Sequence, residues 1–90
     1  MSVMLRFLVY SLRYQRPVKC VWLTEEGTLK SGNLTVTRLD AEEFSYLTAR
    51  NRKTPQTMRL DLLLSAAYAR GDDGDTAKNE PRDAGNSDET

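Results

Sequence analysis

Tyr14-Gln15-Arg16-Pro17-Val18-Lys19-Cys20-Val21-Trp22-Leu23 is the stretch in which the hydrophobic period of the chain changes. Before it, Met1, Leu5, Leu8 and Leu12 recur at helical spacing, with Met4 and Val9 beside them. After it, Val18, Cys20 and Trp22 fall on one side of an alternating pattern, the period of a strand. Pro17 has a fixed φ and no N–H to give to a helix, so it ends the first element. A helix over residues 2–15 followed by β structure is the expected architecture.

Toward the N-terminus, Ser2 has the hydroxyl of a helix N-cap. Arg6 and Arg13, seven apart, fall together on the side opposite the leucine stripe. Phe7, Tyr10 and Tyr14 form a second apolar patch, so this helix must be covered on more than one side. Val3, Leu5, Phe7 and Val9 also alternate as a strand would; the helix is the preferred reading. The excess apolar surface suggests self-association, as a homodimer through the N-terminal helix.

Toward the C-terminus, five strand-like segments follow, over residues 18–23, 29–39, 44–50, 56–60 and 65–70. Glu25-Glu26-Gly27, residues 40–43 and the basic stretch 51–55 separate the first four, and residues 61–64 fit a single helical turn before the last. A short helix and five short strands predict a mainly β (α+β) fold, a strongly bent five-stranded SH3-like or Sm-like barrel. From Gly71 onward only two alanines are apolar. Residues 71–90 are expected to be a disordered acidic tail on a single domain of residues 1–70.

The formal charge of the 90-residue chain is zero, but the two parts differ. Residues 1–70 hold 11 Lys/Arg against 6 Asp/Glu, a net +5, whereas residues 71–90 hold 2 against 7, a net −5. A basic body attracts anions, and an acidic tail competes for the same surface. With no histidine, His-based acid–base chemistry, His–Cys nucleophiles and most zinc sites are excluded. One cysteine, Cys20, forms no internal disulfide and fits a reducing compartment. No membrane span, no secretory leader, no cofactor motif and no catalytic constellation is read, so a cytoplasmic, non-enzymatic protein is expected.

Three segments carry a family resemblance. Arg16-Pro17-Val18 with Trp22 four residues on, Ser45-Tyr46-Leu47-Thr48-Ala49, and Met58-Arg59-Leu60-Asp61 together resemble the pattern of WYL domains, in the same order and spacing. Ser45 stands in the place of the family's tryptophan. The resemblance implies a bacterial, regulatory, ligand-sensing barrel that binds an anionic ligand or single-stranded nucleic acid. No helix-turn-helix precedes the barrel, so direct action as a transcription factor is not expected.

By that resemblance Tyr46 and Arg59 lie at the sensing surface. An arginine forks onto phosphate or carboxylate while a tyrosine stacks or donates a hydrogen bond. The plainer alternative is that Tyr46 is an ordinary strand residue and Arg59 pairs with Asp61 or Glu43. Arg50, Arg52 and Lys53 cluster around Asn51, either as a phosphate-holding loop or as a solvated hairpin tip. Trp22 and Cys20 are assigned to the core with Val18. Asp72, Asp73 and Asp75 around Gly74 are assigned to the solvated tail, since a calcium loop requires more ligands at fixed spacing. Two functions follow: a binding module for anions, or a structural adaptor acting through the apolar helix.

Overall fold

A computed structural model describes residues 2–74. The elements are α1 (Val3–Tyr14), β1 (Val18–Leu23), β2 (Leu29–Leu39), β3 (Glu43–Thr48), β4 (Gln56–Arg59), a 3-10 turn (Leu60–Leu62) and β5 (Leu63–Tyr68). All pairings are antiparallel, in the order β4-β3-β2-β1-β5. Among the described residues the fold is mainly β, with one α-helix. No helix among the described residues is long and apolar enough to cross a membrane.

Ser2 caps α1 as expected, its Oγ accepting from the Leu5 N–H at 3.1 Å. The helix ends one residue before the expected boundary because Gln15 turns into the left-handed region, φ 54° and ψ 44°. Leu8 and Ser11 are wholly buried, with Met4, Leu5 and Leu12 packed around them against the core. The leucine stripe is therefore the face turned to the sheet. Phe7, Tyr10 and Tyr14 lie on a different side, where α1 meets Tyr68 of β5. Met1 lies outside the described residues.

Ser11 looks out of place in an apolar stripe, and the sheet explains it. β1 pairs with β2 only as far as Leu34, opposite Val18, so Val36 has no β1 neighbour. The Val36 N–H donates instead to Ser11 Oγ at 2.9 Å. Gln15 Nε2 donates to the Val36 carbonyl at 3.3 Å and to the Leu12 carbonyl at 2.8 Å. Ser11 and Gln15, four apart on the helix, thus provide both partners that a neighbouring strand would have given. This satisfies a buried peptide group and anchors the end of α1.

The strands follow the expected segments with shifted ends. β3 begins at Glu43, β4 stops at Arg59, and β5 starts at Leu63, two residues earlier than its alternation suggested. The expected single turn of helix is a 3-10 turn, positioned by a hydrogen bond of 2.8 Å from the Leu60 N–H to the Glu42 carbonyl. The barrel is not closed: among the described residues β4 and β5 remain edges. The sheet is nevertheless strongly curled. The edges of a flat five-stranded sheet lie roughly 19 Å apart, whereas the connection between β4 and β5 is three residues rising about 2 Å each. Only curvature brings those edges within reach. Irregularities at Val21/Trp22 and Val36/Arg38 supply it, since bulges bend a sheet and increase its twist.

Val18, Cys20, Leu34, Val36, Phe44, Met58 and Leu63 form the interior of the curl, with Leu8 of the helix over it. Past β5 the chain stays packed to Gly74. The Asp72 carboxylate accepts from the Gly74 N–H at 2.9 Å and from the Tyr10 hydroxyl at 2.9 and 3.1 Å, with Arg16 Nε at 3.6 Å. The Gly74 amide, then the Tyr10 hydroxyl and Arg16, hold this carboxyl below its usual range against the opposing effect of burial. Gly74 has φ 86°, and a Cβ there would meet the Tyr68 hydroxyl at 2.5 Å, so only glycine fits. The disordered tail expected from Gly71 is corrected at its start: residues 71–74 are packed, and Asp72 is held by Tyr10 and Gly74 rather than solvated. The rest of it, residues 75–90, lies outside the described residues.

Candidate functional site

Tyr46 and Arg59 do line one cleft, of about 320 Å³, together with Trp22, Glu25 and Glu43. It opens where the curled sheet fails to close. Tyr46 points inward with Phe44, ring centroids 5.6 Å apart, and burial pushes its phenol above the usual range. Arg59 is exposed and ion-paired to Asp61. Glu43 at the same cleft is bonded by Arg38 at 2.9 Å, and Arg38 also pairs with Asp40. The hydrogen bonds to Asp40, then to Glu43, hold the Arg38 guanidinium above its usual range. The Asp40 carboxyl lies below its own, because it accepts the N–H groups of Glu42 and Glu43 at 3.0 Å each. With two glutamates in its wall and its arginine already paired, this cleft is a poor place for an anion.

The basic loop is built differently. Asn51 Oδ1 accepts from the N–H groups of Lys53 and Thr54 at 3.2 and 3.0 Å, and the Asn51 N–H donates to Thr48 Oγ1 at 3.0 Å. These bonds fix the loop backbone and leave Arg50, Arg52 and Lys53 exposed, with no acidic partner among the described residues. Arg52 lines a second cleft, of about 450 Å³, whose other walls include Gln15, Asn33, Thr35, Leu47 and Thr48. Among the described residues no carboxylate lines it. The Gln15 amide nitrogen is already committed to the Leu12 and Val36 carbonyls, so it is not a free donor in this cleft.

The five sequence-derived residues therefore do not form one site. Arg59 lies opposite Glu43 at the far end of the β3–β4 hairpin from the loop. Five residues of strand, roughly 17 Å, separate the two levels. The structure adds Lys19, which is exposed and stands opposite Asn33 in register, beside the second cleft. The alternation that buries Val18 and Cys20 carries that signal, because it turns Lys19 outward.

Cys20 and Trp22 sit as the alternation placed them: Cys20 is wholly buried and Trp22 half-buried against the core. Burial pushes the Cys20 thiol up to about 12. The reactive species is the thiolate, so the native protein is expected to resist Ellman's reagent at pH 8 and to react with one equivalent after denaturation. Fast labelling of the native chain would show that the β1 interior opens readily. Asp72 spends its oxygens on Tyr10 and Gly74, and no group of three metal-ligating side chains occurs among the described residues. Asp75 lies outside them.

Comparison with protein-family models, with curated proteins and with solved structures gives no match.

Proposed function

We propose that this chain is a small regulatory binding module, WYL-like in character, that takes an anionic ligand in the cleft beside the basic loop. The observation that supports this reading is the make-up of that cleft. Arg52 borders a concavity lined by Asn33, Thr35 and Thr48, which carry amide and hydroxyl donors, and no carboxylate of the described residues lies in its walls. Arg50, Lys53 and Lys19 add positive charge around it. Arginine with neutral donors suits phosphate or carboxylate oxygens, and a groove of this charge also suits a single-stranded nucleic-acid backbone. The cleft at Tyr46 and Arg59 is secondary in this reading.

Two probes separate the ligand sources. Thermal unfolding with added inorganic phosphate or a mononucleotide reports a small anion, and anisotropy of a labelled twelve-nucleotide oligothymidylate reports the polymer. The double variant Arg52→Ala, Lys53→Ala is expected to weaken binding at least about tenfold and to flatten its salt dependence. Arg59→Ala should leave binding within about twofold of the original, since exposed, already paired arginines contribute little. Equal binding by the double variant, or a larger loss in Arg59→Ala, would overturn the assignment to this cleft.

A further inference from the structure

The anion cleft leaves the outer side of α1 unexplained. There Val3, Phe7, Tyr10 and Tyr14 line a groove of about 410 Å³ whose far wall is Tyr68 of β5. The rings are locked together. Phe7 meets Tyr68 edge-on at 4.8 Å, Tyr10 meets Tyr68 edge-on at 5.2 Å, and Tyr10 lies 5.3 Å from Tyr14. The Tyr10 hydroxyl is held by Asp72, which fixes the floor further. Val3 is 63% exposed and Tyr68 38% exposed, so the groove is open to solvent. Arg6 and Arg13 stand along its rim, and Arg13 reaches over the Tyr14 ring at 5.7 Å. Seven residues of helix separate these arginines by about 10 Å along the axis.

We infer that this groove docks an acidic amphipathic segment of another protein, one that places a large apolar side chain on the aromatic floor and a carboxylate against Arg6. Rigid aromatic rings beside arginine are the composition that dominates binding energy at interfaces, and little side-chain entropy is lost when such a floor is covered. Charge selects the occupant. α1 carries arginines and no carboxylate. A two-fold contact with a second copy would set Arg6 and Arg13 against themselves, which disfavours self-pairing. Shape argues against a lipid surface: the apolar residues form a concave seat with a β-strand wall, and the most apolar side of the helix faces the sheet. A helix or strand bearing an anchor side chain fits such a seat.

The test is selection of a phage-displayed random 16-residue peptide library on the full-length chain. Enriched peptides should combine Asp or Glu with Leu, Phe or Trp. As labelled synthetic peptides they should bind saturably, and at least about tenfold more weakly to Arg6→Glu and to Val3→Asp. Both positions are exposed, and unchanged thermal unfolding of the variants confirms their fold. Neutral or basic winners, or equal binding by the variants, would overturn the proposal. So would a failure to enrich any sequence. Sedimentation of the chain with phosphatidylglycerol vesicles in place of peptide binding would mark a lipid surface instead. A dimer on light scattering that Val3→Asp dissociates would mark a self-association face.

Discussion

Phe44→Ala is expected to lower the free energy of unfolding by about 3–5 kcal/mol, the range for emptying a buried aromatic site. Phe44 is the largest of the wholly buried side chains. It lies opposite Leu39 on one side and Met58 on the other, with the Tyr46 ring beside it, so it joins β2, β3 and β4 on the inside of the curl. A domain of this size has a total stability of about 4–11 kcal/mol, and the variant should be largely unfolded near or below 37 °C. Phe44→Leu keeps much of the volume and should cost only about 1–2 kcal/mol. Urea titration followed by tryptophan fluorescence measures both, since Trp22 is the chain's one indole. A loss below 1 kcal/mol in the alanine variant would show that the interior can collapse around the gap, or is not centred there.

The second large effect comes from a hydroxyl. Ser11→Ala leaves the Val36 N–H without an acceptor in a buried position, which costs about 1–3 kcal/mol. Gln15→Ala removes the donor to the Val36 carbonyl, a carbonyl that retains some access to water near the exposed Gln15. The two changes act on the N–H and the C=O of one residue, Val36, so their effects should not add. The direct readout is hydrogen exchange at the Val36 amide, which should speed up in Ser11→Ala by at least as much as global stability falls. An amide that stays fully protected, with stability unchanged, would mean that Ser11 is not its partner.

Phe44 and Ser11 differ in how far their roles are written in the local sequence. The strand that begins near Phe44 was legible over residues 44–50, because strand formers bounded by turn residues carry that information locally; that Phe44 would be its most buried residue was not. Ser2 and Pro17 were legible for the same reason: a cap and a helix terminator act on their own neighbours. Ser11 was not, because its partner is a backbone amide 25 positions away, exposed only because β1 starts too late to cover Val36. The site shows the same division. The basic character of Arg50, Arg52 and Lys53 was plain, and so was the plainer alternative for Arg59, which the Asp61 ion pair matches. Glu43 was named as a possible neighbour of Arg59, but the sequence did not show that Glu25 would stand beside Tyr46 and Arg59 as well. Nor did it show that Arg52 would share a cleft with Gln15, Asn33 and Thr35. Both depend on strand register and on the curl of the sheet, neither of which has a local signature.

The strand order sets an order of events in folding. β1 to β4 form a meander of consecutive hairpins, each closed by a short loop. β5 is different, since its pairing joins Lys19 to Ala67 across most of the domain. Closing a loop of that length in an open chain costs about 3 kcal/mol of entropy, roughly 2 kcal/mol more than closing a hairpin turn. Once the meander has curled, the 3-10 turn delivers β5 to β1 over three residues and that cost disappears. The meander is therefore expected to form first and β5 to lock last, together with the side of α1 that rests on it. Until that step, β1 shows water an unpaired backbone edge along Val18–Leu23. A nascent or truncated chain ending before Leu63 would keep that edge for good, and intermolecular strand pairing would then compete with folding.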